Sequence, residues 1–254
     1  MRRHPFMQVV AITVAGTAIG TTVVLTVPWL PKQASSAAKP MDTLYDVLAV
    51  ASVFVFSLVM AILIVSVLRF RRRHGDLSDG VPIHGNTGLE VVWTLIPTII
   101  VLGAGVYSGI VLANVEDPKP GTKLVNVTAQ QFAWSFDYAG TGVTGAPELH
   151  LVNGTPYLFK LHAKDVIHSF WVPEFRLKKD AVPGMTTSVR VKPIRNGTYS
   201  LVCAELCGLG HATMRGTVKV EDQATFDRWL QSQKATAPSV PGASGSGASR
   251  GGSS

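Results

Sequence analysis

Cys203-Ala-Glu205-Leu-Cys207-Gly-Leu-Gly-His211-Ala-Thr-Met214 places two thiols, an imidazole and a thioether within 12 residues, in the pattern C-x-E-x-C-x3-H-x2-M. Soft sulfur ligands select copper or zinc, and a His, Cys and Met set is the signature of blue copper. A mononuclear blue-copper site needs only one Cys, and this loop has two. A disulfide between Cys203 and Cys207 would suit an oxidising compartment, but it leaves His211 and Met214 without a role. A structural zinc site has little use for Met, and its usual paired spacings are absent. A second histidine is wanted, and His168 supplies it in Asp165-Val-Ile-His168-Ser-Phe-Trp171-Val-Pro173.

Outward from this loop the chain reads as β. Val125, Val127 and Ala129 alternate with Asn126 and Thr128. Tyr157, Phe159 and Leu161 alternate with Leu158, Lys160 and His162, Val189 and Val191 with Ser188, Arg190 and Lys192, and Val218 and Val220 with Thr217 and Lys219. Turn signals separate these runs at 140–145, Asn153-Gly154, Pro183-Gly184 and Asn196-Gly197. About 100 residues of short strands suggest a sandwich or a Greek-key barrel. Residues 222–233 read as one short helix with Phe226, Trp229 and Leu230 on one face. From Ala235 to Ser254 only small and polar residues, Pro, Val and one Arg occur, the composition of a flexible tail. Three N-x-T triplets, at Asn126, Asn153 and Asn196, need no glycan, since two coincide with Asn-Gly turns.

The first half is organised by apolar runs. Charge is absent for 27 residues from Pro5 to Pro31, 22 from Val47 to Leu68 and 25 from Val91 to Val115. A membrane-spanning helix needs about 20. Charged residues make up 15% of the 254-residue chain, against roughly 25% in soluble domains, and apolar residues make up 46%. The first run follows Arg2 and Arg3 and precedes the small residues Ala34 to Ala38, which suits either a signal peptide or a retained helix. Arg69, Arg71, Arg72 and Arg73 close the second run, whereas the segment before it carries only Lys32 and Lys39. The excess of positive charge places residues 69–90 in the cytoplasm and everything after Val115 outside. The net charge is +7, but the basic residues do not cluster on an aromatic-rich soluble surface as nucleic-acid binding would want, and some sit beside apolar runs, where lipid headgroups would be. Two cysteines and the absence of C-x-x-C-H exclude a disulfide scaffold, a four-thiolate iron–sulfur site and a fused c-type haem.

The copper loop, the D-V-I-H-S-F-W-V-P stretch, Leu177-Lys-Lys-Asp-Ala-Val-Pro-Gly184 and Leu89-Glu-Val-Val-Trp-Thr-Leu-Ile-Pro97 together resemble subunit II of the cytochrome c oxidase family, in family order, from about Asp42 to Asp222. The resemblance implies a membrane-anchored α plus all-β chain: a transmembrane helical hairpin followed by a cupredoxin-like Greek-key β-barrel. It implies residues 1–42 as signal peptide or first transmembrane helix with linker, 43–115 as the hairpin, 116–222 as the copper domain, 223–234 as a short helix and 235–254 as a Gly/Ser-rich tail. It also implies a binuclear copper centre, copper A. Cys203 and Cys207 would bridge both metals, His168 and Met214 would complete one, and His211 with the Glu205 backbone carbonyl the other. The Glu205 carboxylate would join a magnesium site shared with subunit I. Glu90 would mark the mouth of the proton path called the K-channel, although Thr87 to Glu90 also fits a capping box. Pro97 is expected to bend that span.

The aromatic run Gln130-Gln-Phe132-Ala133-Trp134-Ser-Phe136-Asp-Tyr138 departs from the family pattern. Phe132 stands where Trp is common at the electron-input position, and Ala133 replaces another aromatic. Trp134, Phe136 and Tyr138 also alternate as core residues would. The implied partners are haem-containing subunit I, other oxidase subunits, a c-type cytochrome donor and membrane lipid, with no nucleic acid. The implied setting is a bacterial plasma membrane with the copper domain on its outer face. The implied role is the electron-input subunit of a proton-translocating cytochrome c oxidase. A stand-alone membrane-anchored cupredoxin is the alternative. A copper-free quinol oxidase subunit is disfavoured by the intact Cys203 and Cys207.

Overall fold

The structure, a computed structural model, describes residues 4–72, 74, 75, 78–80 and 82–236. Arg2, Arg3, Arg73 and the tail from residue 237 onward lie outside the described residues. Three long helices come first: α1 (Pro5–Thr26), α2 (Ala38–Phe70) and α3 (Thr87–Glu116). Each contains a stretch apolar enough to cross a membrane. Thirty-three residues carry α2 to about 50 Å, beyond the roughly 30 Å of a hydrocarbon layer. The surplus is polar and lies at its start. Ala38 is buried, Met41 packs against the β-domain core, and Asp42 pairs with Arg176 at 2.7 Å, so the helix begins well before the apolar run.

α3 runs continuously through Pro97. Its cap is Asn86, whose side chain accepts from the Leu89 amide at 3.1 Å, while Glu90 Oε1 accepts from the Asn86 amide at 3.2 Å. Sequence spacing puts the cap at Thr87, and the structure moves it one residue earlier. Asn caps better than Thr, and Thr87 is taken into the first turn. Glu90 still closes the reciprocal pair of a capping box, reaching back over four residues instead of three.

Ten strands follow: β1 (Lys123–Gln130), β2 (Ala133–Tyr138), β3 (Val143–Ala146), β4 (Leu149–Val152), β5 (Tyr157–Ala163), β6 (His168–Val172), β7 (Leu177–Ala181), β8 (Thr187–Val191), β9 (Gly197–Cys203) and β10 (Arg215–Glu221), then α4 (Gln223–Thr236). They form two five-stranded sheets, β3-β2-β1-β5-β8 and β4-β10-β9-β6-β7. β1 pairs with β5, and β10 with β4, in parallel, and the remaining pairs are antiparallel. Alternate residues point between the sheets, as the pleat requires: Val125 and Val127, Phe136, Phe159 and Leu161 from the first sheet, Phe170, Leu201 and Val218 from the second, all buried. This is the membrane-anchored, cupredoxin-like β architecture expected. α4 closes one end with Phe226 buried, and its Trp229 stacks on His150 at 4.0 Å between ring centroids.

Phe159 is fully buried, stacks on Tyr157 and packs at a tilt against Phe170. Phe159→Ala is expected to cost about 3–5 kcal/mol of stability, read as earlier unfolding of the full chain in detergent by tryptophan fluorescence.

Candidate metal centre

The site is assembled by strand pairing. β6 lies against β9 with Phe170 opposite Cys203, and the Ala204 amide donates to the Ser169 carbonyl at 3.0 Å. β9 lies against β10 with Val202 opposite Arg215, and the Cys203 amide donates to the Met214 carbonyl at 3.2 Å. The loop 204–214 therefore leaves and re-enters adjacent strands. His168, two residues before Phe170, faces the same interior as Cys203. Gly208 sits at φ +128, where a side chain is strained. A Cβ on Gly210 would come within 2.5 Å of the Phe132 ring, so the loop packs under that ring only because Gly210 has none.

The donor atoms converge. Cys203 Sγ lies 3.8 Å from Cys207 Sγ, 3.9 Å from His168 Nδ1 and 3.3 Å from the Glu205 carbonyl. Cys207 Sγ lies 3.7 Å from His211 Nδ1 and 3.7 Å from Met214 Sδ, and Met214 Sδ lies 3.2 Å from His168 Nδ1. Both thiols are free, at a separation far beyond the roughly 2.05 Å of a disulfide. His168 and Met214 are fully buried, and the two cysteines nearly so. The donor atoms of His168, Cys203 and Cys207 all lie within 4.8 Å of one another and can hold a metal ion. Burial pushes the Cys207 thiol up to about 11, and the adjacent Cys203 sulfur adds to the rise. Metal binding at these sulfurs therefore has to displace protons.

Around the donors sits a supporting frame. Asp165 Oδ1 accepts from His168 Nε2 at 2.8 Å. A carboxylate only accepts, so the imidazole proton is placed on Nε2 and the Nδ1 lone pair faces the sulfurs. Burial acts to raise the Asp165 carboxyl, but hydrogen bonds from His168 and from the Gln131 and Val166 amides outweigh it and bring it down to about 2. Gln131 binds twice: its amide donates to Asp165 Oδ2 at 2.6 Å, and its side chain donates to the Cys207 carbonyl at 2.7 Å. Sequence reasoning missed this residue; the signal was the second of two glutamines opening an aromatic run. Ser169, next to His168, donates to Asp180 Oδ1 at 2.6 Å, and Lys178 approaches the same oxygen at 3.5 Å.

Phe132 and Trp134 take different positions. Phe132 is 40% exposed over the metal loop, whereas Trp134 is 5% exposed, edge-on to His168 at 6.2 Å and to Phe170 at 5.9 Å. The Glu205 side chain is exposed. Glu90 is not brought to this site, for it lies at the far end of α3. Apolar side chains are exposed in the loop, at Leu206 and Leu209, and just before His168, at Val166 and Ile167.

Residues 22–110 match the family model of the cytochrome c oxidase subunit II transmembrane domain, and residues 147–221 that of its periplasmic domain. Cytochrome c oxidase subunit 2 of Thermostichus vulcanus is 35% identical over 267 residues, an alignment covering 84% of this chain and 81% of the relative. Quinol oxidase subunit 2 of Bacillus anthracis is 30% identical over 206 residues, covering 77% and 70%. The crystal structure of the periplasmic domain of subunit II of cytochrome oxidase of Bradyrhizobium japonicum gives a TM-score of 0.43 at 26% identity, covering 46% of this chain and 96% of that one. Both the membrane helices and the β domain that carries the donor cluster thus fall within one family, and the chain belongs to cytochrome c oxidase subunit II.

Proposed function

We propose that this chain is the electron-input subunit of a proton-translocating cytochrome c oxidase in a bacterial plasma membrane. It takes electrons from a c-type cytochrome on the outer face and passes them to haem in subunit I, where oxygen becomes water. The observation that carries this reading is the meeting of two free thiols, two imidazoles, a thioether and a carbonyl in one cluster, with His168, Met214 and both cysteines buried. Such a soft, nitrogen- and sulfur-rich donor set fits copper, and two sulfurs side by side fit a pair of metals. Cys203, Cys207, His168, Met214, His211 and the Glu205 carbonyl would together hold the copper. When bound, the copper pair supplies a one-electron store shared over two metals.

The chain's own residues do the rest. Asp165 holds the His168 tautomer, and Gln131 ties that carboxylate to the metal loop through the Cys207 carbonyl. Strand pairing on both sides keeps the loop from relaxing when charge changes. Phe132 closes the pocket from the outside and is the proposed electron-input contact, with Trp134 behind it in the core. The exposed Glu205 carboxylate is the proposed contribution to magnesium shared with subunit I. Glu90, folded back on its own helix start, is the proposed mouth of the proton path.

The full chain purified from copper-replete cells should contain two copper ions per chain by elemental analysis. Cys203→Ser or Cys207→Ser should abolish the mixed-valence electron-spin signal while the β domain stays folded. One copper per chain, or zinc in its place, would contradict the binuclear assignment.

In the assembled oxidase, Glu90→Gln should slow steady-state turnover and leave assembly and copper reduction intact. Gln can still accept from the Asn86 amide, so the cap survives. Normal turnover would assign Glu90 to capping alone.

The β domain from Glu116 to Asp222 carries 12 Lys and Arg against 10 Asp and Glu, a net of +2. Asp165, an acid next to the loop, is committed to His168 and Gln131. A strongly cationic donor therefore finds little attraction, and contact falls to the apolar rim. The second-order rate of electron transfer from a weakly basic or membrane-tethered cytochrome should vary little with ionic strength, because steering depends on opposed charge. A fast rate with a strongly basic cytochrome that collapses in salt would contradict this.

A further inference from the structure

From its composition α1 suits either a discarded leader or a lasting span, and its packing separates the two. The side facing α2 is built for close approach. Thr13 is buried on α1, and Ser57, Ala61 and Val65 are buried on α2 at the four-residue spacing of one helix face. A Cβ on Gly16 would lie 3.0 Å from Ser57 Oγ, and one on Gly20 would lie 2.6 Å from Val53 Cγ1. Small residues four apart let helix backbones meet in lipid, where no hydrophobic drive brings them together. At the inner end Arg69 Nε donates to Gln8 Oε1 at 3.1 Å. The pairs Gln8–Arg69, Gly16–Ser57 and Gly20–Val53 run antiparallel along the whole span. A leader that is removed needs only an apolar run and no matched partner.

A second observation is separate from the first. The small-residue stretch after α1, which has the look of a peptidase site, is built into the β domain. Ala34 and Ser35 are fully buried. The Ala34 amide donates to the Glu174 carbonyl, the Ile194 amide to the Ala34 carbonyl and the Ser36 amide to the Lys192 carbonyl, each at 2.9 Å. The Ser35 hydroxyl donates to the Phe175 carbonyl at 2.7 Å, and Arg176 reaches both the Pro31 carbonyl and Asp42. A cut within 34–38 would strip partners from two to four backbone groups of the β domain, depending on where it falls, which costs free energy wherever water cannot replace them.

We infer that α1 is a permanent third membrane span, and that residues 31–38 are a strap tying it to the metal-binding domain. Three helices then fix the tilt of that domain on the membrane, with α1 bracing the side of α2 on which it packs. Nothing in this inference depends on the metal.

The test uses the full chain with a C-terminal tag, purified from membranes, in a Cys203→Ser, Cys207→Ser background. Intact mass should show a chain that still contains residues 5–38. Gly20→Cys combined with Val53→Cys brings two Cβ atoms to 3.7 Å, close to the usual separation in a disulfide of about 3.8 Å. After mild oxidation and trypsin, which cuts at Lys32 between the two sites, the flanking peptides should remain joined until reduced. A chain beginning within residues 34–38 would overturn the inference. So would a full-length chain whose two peptides separate without reduction.

Discussion

The pairing of β6 with β9 is the contact on which the remainder of the site depends. Phe170 opposite Cys203 sets the register, and a slip of one residue would turn His168 away from the interior. Because the pleat sends alternate residues to one face, His168 and Phe170 share the inward side, where Cys203 also lies. The ladder between β9 and β10 then returns Met214 to within hydrogen-bonding distance of Cys203 along the backbone. Four soft or neutral donors are thus buried together by main-chain hydrogen bonds, which do not rearrange when a charge is added or removed. That is the requirement for a rapid one-electron carrier: the protein must hold one geometry for both charge states.

Burying two thiols and an imidazole without conventional partners is unfavourable unless something compensates. Part of the compensation is visible in the frame. Asp165 satisfies the outward nitrogen of His168, and the backbone amides of Gln131 and Val166 satisfy Asp165. Gln131 joins that chain to the Cys207 carbonyl, so the β1–β2 turn and the metal loop move as one body. The ring of Phe132, the next residue, therefore has a fixed seat over Gly208 and Gly210. The surface where a donor would touch and the atoms that would hold metal are mechanically one unit.

The centre was largely legible in the sequence because five of its six donors lie within 12 residues, and their chemistry is unusual wherever it occurs. His168, 35 residues before Cys203, could be sought only because one imidazole was missing. The strands with one solvated face, β1, β5, β8 and β10, declare themselves by alternation. β4 does not, since Leu149 to Val152 are buried on both faces and show no period. Nor does β7, where Lys178, Lys179 and Asp180 occupy a strand held by pairing with β6. The cap at Asn86 and the clamp at Gln131 were illegible for one reason. Both depend on where a short polar side chain points, which is set by three-dimensional neighbours and not by spacing.

The long helices carry a consequence of their own. α3 has Glu90 at its first turn and delivers the chain into β1 at its other end, so it connects the inner surface to the metal-bearing domain directly. At 30 residues it spans about 45 Å, enough to cross the roughly 30 Å of hydrocarbon with nearly three turns to spare. Among the described residues its side chains Ile99, Leu102, Val106 and Ile110 are largely exposed, and it touches α2 only sparingly, so most of its surface is open to lipid or to another subunit. α1 and α2, in contrast, are matched to each other. The membrane part therefore divides into a self-contained pair and an unpartnered helix. Orientation and height come from the pair, through Asp42, Arg176 and the buried strap. α3, with most of its surface open, joins Glu90 at its first turn to the β domain through one continuous helix.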